Sequence, residues 1–505
     1  MSKSILISSV LIANRGEIAV RIIRGARELG IRTVAVYSEP DRLSPHVLEA
    51  DEAYCIGAAA SADSYLRGEA LIKLAKTVGA DAIHPGYGFL AERADFAAAV
   101  EAAGLIFVGP AADTIAAMGD KTEARRRMAD SGVPIVPGIT EAVADAAEAE
   151  KSASEIGFPV LLKAAAGGGG KGMRVVEKCE DLDRALQAAS REALAAFGDG
   201  SVYLERYLAR PRHIEIQILG DAHGNIVHLA ERECSIQRRH QKLVEEAPSA
   251  VLTVEERTSM GQAAVRAAET VGYRGAGTIE FLYENGEFFF LEMNTRIQVE
   301  HPVTEMVTGI DLVEWQFRIA AGEMLTFTQS DIVITGHSIE CRITSENHES
   351  GFLPSTGLIS HLVVPTGPGV RWDGGVIEGS EVSLHYDPLI AKLIVHGSDR
   401  NAAINRMNRA LESLMVTGVE TCASLHSRIM QEQDFKAGIL SIRYLDEHSE
   451  LLEPNAPEES MIAATVAAAL LEDGYRKQRA SRIEGHNGTP LSEWQRSASP
   501  WSGRR

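Results

Sequence analysis

The sequence predicts an α/β protein. A parallel sheet covered by helices comes first and antiparallel hairpins follow, so the whole chain is of the α+β class. Three observations favour this class. Strand-like and helix-like segments alternate over about residues 1–115, which is typical of a parallel sheet covered by helices. A glycine-rich run separates two short strands, and aromatic strand residues lie on both sides of Asn285-Gly286. At 505 residues, the chain has room for two to four structural units.

The first 115 residues contain the strand–helix–strand order expected of a parallel sheet. In chain order, the predicted elements are strand Val10–Ala13, helix Glu17–Leu29, strand Thr33–Tyr37 and strand Ala80–His84. Ligands bind beyond the carboxyl ends of such strands, so Asn14–Glu17 and His84–Gly88 are candidate binding loops. Neither loop has the glycine spacing of a dinucleotide-binding fingerprint.

Composition and charge exclude several classes of function. The net charge is −20, so the chain lacks the basic footprint expected of a nucleic-acid-binding protein. No apolar run reaches the roughly 18–20 residues that cross a bilayer, and the N-terminus is predicted to be a strand, not a signal peptide. The five cysteines include no Cys-x-x-Cys pair, which favours a reduced, cytoplasmic compartment and suggests no zinc site.

A smaller module is predicted at about residues 120–205. Its elements are helices Thr122–Ser131 and Glu141–Ile156 and strands Pro159–Ala164 and Arg174–Val176. The glycines at 167–172 are followed by a strand, which argues against a dinucleotide motif, and no Ser or Thr follows Lys171, which argues against a P-loop. We predict a glycine-rich hairpin that closes over phosphates, flanked by Lys163 and Lys171. A flexible surface loop is the alternative.

Two carboxylates border a predicted hairpin in the largest unit, at about residues 206–450. Glu280 lies inside one strand, and Glu292 follows Phe288–Leu291, which we expect to be buried. A two-residue turn at Asn285-Gly286 would place the carboxylates on opposite faces, whereas a three-residue loop with the glycine left-handed would place them on one face. We predict the second arrangement, with Mg²⁺ between the carboxylates and Asn294 adding an oxygen. Glutamates paired to arginines are the alternative.

Five motifs then occur in a single order along the chain. They are Met118–Lys121, Lys163 with the glycine run, Arg232–Lys242, Gly275–Thr278 and Glu292–Pro302. In this set and order, the chain resembles the biotin carboxylases of the ATP-grasp superfamily. The resemblance runs from about Ile5 to Leu445, with one departure at Ala166, where the family's loop often begins with a glycine.

The resemblance implies a set of ligand contacts. ATP would contact Lys121, Lys163, His213, Gln237, His240, Glu280 and Glu292, with Glu205, Arg206, Tyr207 and Leu208 at the adenine hinge and Gly169 and Gly170 over the phosphates. Mg²⁺ or Mn²⁺ would be held by Glu280, Glu292 and Asn294. Bicarbonate would contact Lys242, Arg296, Gln298, Val299 and Glu300, and biotin would lie near Arg342 and Tyr87.

The implied catalytic residues are Lys242, Arg296, Glu300 and Arg342. Bicarbonate and the ATP γ-phosphate are both anions, so Lys242 and Arg296, together with Mg²⁺, would offset their repulsion. Glu300 would take the bicarbonate proton. Arg342 would stabilise the negative charge that develops on the biotin oxygen.

The resemblance also implies a domain organisation. We expect an N-terminal biotin carboxylase domain at 1–119, an ATP-grasp domain at 120–330 with a small mobile lid at about 136–205, and a C-terminal biotin carboxylase domain at 331–450. Residues 451–505 differ in composition and form a helical and basic extension, with a helix candidate at Met461–Glu472.

The implied function is the ATP-dependent carboxylation, via carboxyphosphate, of biotin on a carrier protein. The chain contains no Met-Lys-Met tripeptide, so we expect biotin on a separate biotin carboxyl carrier protein and expect separate carboxyltransferase subunits. Acetyl-CoA carboxylase, in fatty acid synthesis, is the favoured complex; propionyl-CoA or another acyl-CoA carboxylase and a two-subunit pyruvate carboxylase are alternatives. A homodimer is expected from the family. Another ATP-grasp ligase and a nucleotide-binding regulatory subunit are the rival interpretations.

Overall fold

The computed structural model describes residues 6–139, 143, 146–164, 173–197, 200–454 and 458–484. The chain forms two compact units, Met1–Leu452 and Glu453–Arg505. The helices of the first unit are α1 Gly16–Glu28, α2 Pro45–Glu49, α3 Gly68–Thr77, α4 Ala94–Ala102, α5 Ala112–Gly119, α6 Lys121–Asp130, α7 Ala146–Ile156, α8 Leu182–Phe197, α9 Val254–Thr270, α10 His301–Thr308, α11 Leu312–Ala320, α12 Arg400–Ser413, α13 Ala423–Gln431, α14 Gln433–Ala437 and α15 Tyr444–Glu447. The second unit contains α16, Glu458–Glu484.

The predicted parallel sheet is confirmed at the start of the chain. Its strands are β1 Ser9–Ile12, β2 Arg32–Ser38, β3 Glu52–Gly57, β4 Ala82–His84 and β5 Ile106–Phe107, in the order β3-β2-β1-β4-β5. All four residues of the central strand β1 are buried because strands flank it on both sides and α1 covers it. Asn14 follows β1 and donates hydrogen bonds of 2.7 Å to the carbonyls of Pro85 and Tyr87. The two candidate loops therefore meet at the carboxyl edge of the sheet.

A three-stranded antiparallel sheet contains the smaller strands on either side of the glycine run. It consists of β6 Val160–Ala164, β7 Arg174–Val176 and β8 Val202–Arg206, in the order β7-β6-β8. Helices α7 and α8 cover it through Ala149, Ala153 and Ala189, which pack on Val160 and Leu162. Both predicted strands are present, while the glycine run itself, with Gly169, Gly170 and Lys171, lies outside the described residues.

The largest sheet has eight antiparallel strands. In chain order they are β9 Arg212–Gly220, β10 Ile226–Arg238, β11 Gln241–Ala247, β12 Gly275–Glu284, β13 Glu287–Asn294, β14 His337–Thr344, β19 Val370–Gly374 and β21 Leu389–Gly397. Their spatial order is β13-β12-β9-β10-β11-β14-β21-β19. The remaining short strands pair in twos and are β15 Glu346–Asn347, β16 Leu353–Pro354, β17 Gly357–Leu358, β18 His361–Val363, β20 Glu381–Val382 and β22 Met415–Thr417.

The hairpin of β12 and β13 corrects our prediction of its loop. Glu284 pairs with Glu287, so Asn285 and Gly286 form a two-residue turn, with φ values of +53° and +85°. The predicted three-residue loop is therefore wrong. The register changes further along instead, because a β-bulge lets Glu280 pair with Glu292.

The bulge explains why the two carboxylates nevertheless share a face. Phe281 pairs with Phe290, and Glu280 pairs with Glu292, so Leu291 is the extra residue of β13. Directly opposite residues of an antiparallel pair project from the same side of the sheet. The prediction that Leu291 is buried is wrong as well, because 42% of it is exposed.

The second unit is described by its single helix. Helix α16 extends beyond the predicted Met461–Glu472 to Glu484, and Ile462, Val466 and Leu470 are exposed along it. Among the residues that the structure describes, no helix combines the length and apolarity required to cross a membrane.

Candidate active site

A row of charged side chains crosses four neighbouring strands of the large sheet. Arg232 on β10 pairs with Glu215 on β9, Glu215 pairs with Glu280 on β12, and Glu280 pairs with Glu292 on β13. The row forms because β9 alternates polar His213, Glu215 and Gln217 with apolar isoleucines. One face of an otherwise apolar sheet therefore carries the candidate chemistry.

Lys242 lies at the centre of the carboxylates. Its ammonium is 2.5 Å from Glu215, 3.0 Å from Glu280 and 2.6 Å from Glu300. Burial alone would lower the pKa of Lys242, but the three carboxylates raise it well above its ordinary value. Lys242 is therefore a fixed positive charge in the site.

Arg232 is fully buried, and its guanidinium connects polar side chains from neighbouring elements on this face of the sheet. Its guanidinium donates to Glu215 at 2.5 Å and to Gln298 at 2.5 Å. Further hydrogen bonds reach Gln217 at 2.7 Å, and Thr278 and Thr304 at 3.0 Å. A guanidinium has five donors in a fixed plane, so this set of acceptors fixes the positions of its neighbours.

Glu300 lies between two cations. One of its oxygens accepts from Lys242 at 2.6 Å and the other accepts from Arg342 at 2.9 Å. Burial would raise the pKa of this carboxyl, but Lys242, Arg342 and Arg232 hold it well below its usual range. Glu300 is thus ionised and able to accept a proton.

The other predicted bicarbonate residues lie on the segment between β13 and α10. Arg296 donates to Glu92 at 2.9 Å and to the amide oxygen of Asn294 at 2.8 Å. Gln298 donates to Glu280 at 2.7 Å. The structure therefore brings Lys242, Arg296, Gln298 and Glu300 into one hydrogen-bonded group around the carboxylates.

The predicted metal ligands are Glu280, Glu292 and Asn294. Glu280 and Glu292 share a face, and carboxylate oxygens are the ligands that Mg²⁺ prefers. Burial would raise the pKa of Glu280, but Lys242 and His213 lower it, so it is ionised. Asn294 directs its amide nitrogen at Glu280, at 2.9 Å, so its role as an oxygen ligand stays a prediction. The two glutamates fit the ion.

A second set of possible metal ligands overlaps the first. The imidazole of His213 is 2.9 Å from Glu280 and 3.8 Å from Glu215. One ligand atom from each of these three residues lies within 4.8 Å of the others. His213, predicted to contact ATP, is thus placed beside the same carboxylates.

The predicted adenine hinge lies at the end of β8. Glu205 forms ion pairs with Lys163 and, at 3.1 Å, with Arg125. Arg206 donates to Glu287 at 2.9 Å and covers the ring of Phe289 at 4.7 Å. The side chain of Lys163 therefore meets the hinge at Glu205.

The remaining hinge residues are fixed by backbone and apolar contacts. The backbone amide of Tyr207 donates to Pro159 at 3.1 Å. Leu208 is buried against Val136 and Phe289.

The other predicted nucleotide residues are placed less completely. Gln237 is buried in β10, while His240 is exposed in the tight turn between β10 and β11. Arg239 and His240 have φ values of +49° and +68°, a conformation that non-glycine residues rarely adopt and that is often found at functional sites. Lys121 begins α6, and its side chain is outside the described residues.

Arg342 and Tyr87, the predicted biotin residues, are each hydrogen-bonded to carboxylates. Arg342 donates to Glu245 at 2.6 Å as well as to Glu300. The hydroxyl of Tyr87 donates to Glu17, and the charge of Arg342 acts on Tyr87. Burial raises the pKa of the Tyr87 hydroxyl well above its usual value, so it stays a hydrogen-bond donor.

Sequence reasoning missed five residues that hold this site together. They are Glu92, Glu215, Arg232, Glu245 and Lys392, and the last of these donates to the Val299 carbonyl at 2.8 Å. The alternation of polar and apolar residues along β9 could have indicated Glu215, because a polar face on a buried strand needs partners. Arg232 lies within a quoted motif but was assigned no role. The other three are defined by long-range contacts and leave no local pattern.

Comparison with known protein families and relatives assigns the chain to the ATP-dependent ligases. The biotin carboxylase N-terminal domain matches at residues 6–115, the ATP-binding domain of the carbamoyl-phosphate synthase L chain at 120–328, and the biotin carboxylase C-terminal domain at 340–447. Because two biotin carboxylase domains flank the shared ATP-binding domain, the rival interpretation of another ATP-grasp ligase is disfavoured.

Individual proteins give the same result. The biotin carboxylase of Haemophilus influenzae is 54% identical over 442 residues, covering 87% of this chain and 98% of that protein. The α subunit of mitochondrial methylcrotonoyl-CoA carboxylase from Dictyostelium discoideum is 49% identical over 491 residues, covering 97% of this chain and 69% of that protein. The chain belongs to the biotin carboxylase family.

A solved structure extends the comparison to the fold. It is the biotin carboxylase domain dimer of 2-oxoglutarate carboxylase from Hydrogenobacter thermophilus, in complex with MgADP, ADP and bicarbonate. The TM-score is 0.81 at 50% identity, covering 89% of this chain and all of that one. Biotin carboxylases use ATP, Mg²⁺ and biotin on a carrier.

Proposed function

We propose that this chain uses ATP and bicarbonate to carboxylate biotin on a biotin carboxyl carrier protein, as the first half-reaction of an acyl-CoA carboxylase. The observation that carries the proposal is the position of Glu300. It contacts Lys242, a predicted bicarbonate residue, and Arg342, a predicted biotin residue, through its two oxygens. The Glu300 carboxylate therefore connects the proposed bicarbonate site with the proposed biotin site.

The charges of the site support roles for its residues. Lys242 and Arg296 attract bicarbonate and offset its repulsion from the ATP phosphates, in a buried site where electrostatic interactions are strong. Glu300 accepts the bicarbonate proton, and its two cationic neighbours keep it ionised until then. Arg342 stabilises the negative charge on the biotin oxygen and is itself held by Glu245.

The nucleotide would lie between the three-stranded sheet and the large sheet. Mg²⁺, held by Glu280 and Glu292, supplies positive charge to the ATP phosphates when bound. Lys163 and the hinge from Glu205 to Leu208 hold the nucleotide, and His213, Gln237 and His240 complete its contacts. We further propose that about residues 136–205 act as the lid and that Lys121, Gly169 and Gly170 contact the phosphates.

The assay of this proposal is bicarbonate-dependent ATP hydrolysis, stimulated by free biotin. We expect Glu300→Gln to lower the rate about 10²- to 10⁴-fold, the usual contribution of a general base, with unchanged ADP affinity. Glu314→Gln is the matched control, because Glu314 forms a surface ion pair with Arg318 at 2.7 Å. ATP hydrolysis that does not depend on bicarbonate would contradict the proposed function.

The acyl acceptor is the finer part of the proposal. Acetyl-CoA carboxylase is the favoured complex, so acetyl-CoA is the first candidate acceptor. A specific observation supports methylcrotonoyl-CoA as a second candidate: the methylcrotonoyl-CoA carboxylase subunit matches 97% of this chain, whereas the Haemophilus influenzae biotin carboxylase matches 87%. Residues beyond about 450 are therefore shared with an acyl-CoA carboxylase.

Co-purification with the tagged chain tests the acceptor. Its carrier and carboxyltransferase partners should be recovered, and labelled bicarbonate should be fixed on acetyl-CoA if the first candidate is right. Fixation on methylcrotonoyl-CoA would select the second candidate, and fixation on pyruvate alone would contradict both. We also propose a homodimer, which light scattering of the purified chain would test.

A further inference from the structure

Three ionisable side chains converge near the end of the first unit. Glu432 precedes α14, Asp434 lies in its first turn, and His448 follows α15. The imidazole Nε2 of His448 is 3.3 Å from an oxygen of Asp434 and 3.8 Å from an oxygen of Glu432. One ligand atom from each residue lies within 4.8 Å of the other two.

The orientation of His448 leaves Nε2 directed at the carboxylates. Its Nδ1 donates a 2.9 Å hydrogen bond to the carbonyl of Tyr444, and its ring stacks on that of Tyr444 at 4.4 Å. In a neutral imidazole this bond places the proton on Nδ1, so the lone pair lies on Nε2. Histidine ligands of metals are usually oriented in this way.

Glu432 is oriented by its second oxygen. Oε2 accepts from the backbone amide of Phe435 at 2.7 Å and from the hydroxyl of Tyr444 at 2.8 Å. Oε1 is the oxygen that faces His448. Both the histidine and the glutamate are thus fixed by groups outside the cluster.

The spacing of the three ligand atoms suits an ion better than a direct hydrogen bond. A charged N–H···O bond spans about 2.7–2.9 Å, shorter than both distances from His448. A tetrahedral ion with bonds of about 2.0–2.1 Å separates its ligands by roughly 3.3 Å. Asp434, whose side chain is 44% exposed, leaves one side open to a water ligand.

We propose that Glu432, Asp434 and His448 form a binding site for a divalent transition-metal ion of the Zn²⁺ class. The bound ion would join α14 to the segment after α15, four residues before the end of the first unit at Leu452. It is a structural ion, separate from the Mg²⁺ of the reaction. The absence of a cysteine pair had suggested no zinc site, but one histidine and two carboxylates are an alternative donor set for zinc.

The rival explanation is an ion pair of protonated His448. Burial would lower its pKa, but the Tyr444 carbonyl, Glu432, Asp434 and Glu450 raise it. His448→Lys separates the two explanations. Lysine keeps a positive charge beside the carboxylates, yet its ammonium has no lone pair for a metal.

The experiment measures the Zn²⁺ bound per chain, by competition with a chromophoric chelator at pH 7.5, and the Tm with and without ZnSO₄. We expect His448→Lys to bind one Zn²⁺ fewer than the wild type and to lose the part of the zinc-induced rise in Tm that the site supplies. Asp434→Asn should behave in the same way and replaces the lysine variant if that variant does not fold.

His361→Lys is the matched control, because exposed His361 lies 2.8 Å from a single carboxylate, Glu378. It should match the wild type in both measurements. Zinc bound at the catalytic carboxylates is common to all variants and cancels in the comparison. Equal zinc stoichiometry in the wild type, His448→Lys and Asp434→Asn would overturn the proposal.

Discussion

The ammonium of Lys392 donates a 2.8 Å hydrogen bond to the carbonyl oxygen of Val299, 93 positions away in the chain. Lys392 is fully buried and lies 3.1 Å from the carboxylate of Glu17. Glu17 in turn accepts from the hydroxyl of Tyr87. One buried cation thus connects the predicted bicarbonate segment with a residue predicted to lie near biotin.

Lys392 is therefore expected to position Val299. We expect Lys392→Met to raise the KM for bicarbonate about tenfold, the equivalent of roughly one hydrogen bond, and to leave the KM for ATP unchanged. It should also destabilise the protein, by about 3–5 kcal/mol, because Glu17 would be left buried without its partner.

The double variant Glu17→Gln with Lys392→Met separates positioning from stability. Removing both charges should restore much of the Tm but not the bicarbonate KM. If the double variant recovers the bicarbonate KM, Lys392 acts only on stability and the positioning role is wrong.

Substitution of Arg342 should impair the carboxylation of biotin without impairing the binding of ATP. Arg342→Met removes the charge that faces biotin, so we expect carboxybiotin formation to fall about 10²- to 10³-fold, the usual effect of losing one such donor. The KM for ATP should stay within about twofold, because no predicted nucleotide residue contacts Arg342 among the hydrogen bonds of the described chain. Arg342→Lys should recover little, because lysine lacks the fork that holds Glu245 and Glu300 together.

The control for Arg342→Met is Arg93→Met, since Arg93 forms an exposed ion pair with Asp95 at 2.8 Å. Free biotin should stimulate ATP hydrolysis in the control and in the wild type alike. A loss of ATP affinity equal to the loss of carboxybiotin formation would show that Arg342 acts on the nucleotide instead.

The fold was predictable where the pattern is local. Alternation of strands and helices gave the first sheet, and the aromatic run gave the hairpin of β12 and β13. The face shared by Glu280 and Glu292 was predicted correctly, but for the wrong reason. A left-handed glycine is compatible with either turn length, so Gly286 did not determine the loop. The bulge at Leu291 depends on how both strands pack in the sheet, so the residues around Leu291 do not predict the bulge.

The site was predictable where it lies on one segment. The polar run from Glu292 to Glu300 indicated chemistry by its density, whereas Glu92, which accepts from Arg296, lies 204 positions away. Lys392 could not be recognised from its sequence neighbours either, because it is a single lysine within the apolar strand β21. Such partners follow from the tertiary fold, and their own sequence neighbourhoods give no indication of them.

Metal binding should require the pairing of Glu280 with Glu292, and not Leu291 itself. Deleting Leu291 removes the bulge, and Glu292 then follows Phe290 directly and still pairs with Glu280 on the same face. We expect the deletion variant to keep its ATP hydrolysis and the dependence of that activity on added Mg²⁺ or Mn²⁺, because the two carboxylates still share a face. Leu291→Ala keeps the register, and because the side chain is partly exposed it should change stability by less than about 0.5–1 kcal/mol.

The deletion is informative only if the protein folds, which a circular dichroism melt checks. Glu292→Gln then gives a second test that keeps the backbone intact, and it should lower the apparent affinity for Mg²⁺. A deletion variant that is folded but needs a much higher Mg²⁺ concentration than the wild type would show that the bulge itself, and not only the pairing of the two glutamates, positions the ion.

Buried His46 should make the fold sensitive to acid. Its Nε2 lies 3.3 Å from the Val36 carbonyl, and burial lowers its pKa to about 4, against roughly 6.5 in the unfolded chain. Between pH 6.5 and about 4 the unfolded state binds a proton that the folded state does not, so stability falls as the pH falls through this window. Above pH 6.5 both states are neutral and His46 contributes no pH dependence.

We expect His46→Gln to reduce this acid sensitivity by up to about 1.4 kcal/mol per pH unit. The measurement is the Tm at pH 7.5, 6.5, 5.5 and 4.5 for the wild type, His46→Gln and the exposed-histidine control His361→Gln. His46→Gln is expected to start lower, because a buried side chain is changed, but to lose less Tm as the pH falls. Parallel curves for all three proteins would contradict the assignment, since the acid sensitivity would then come from groups other than His46.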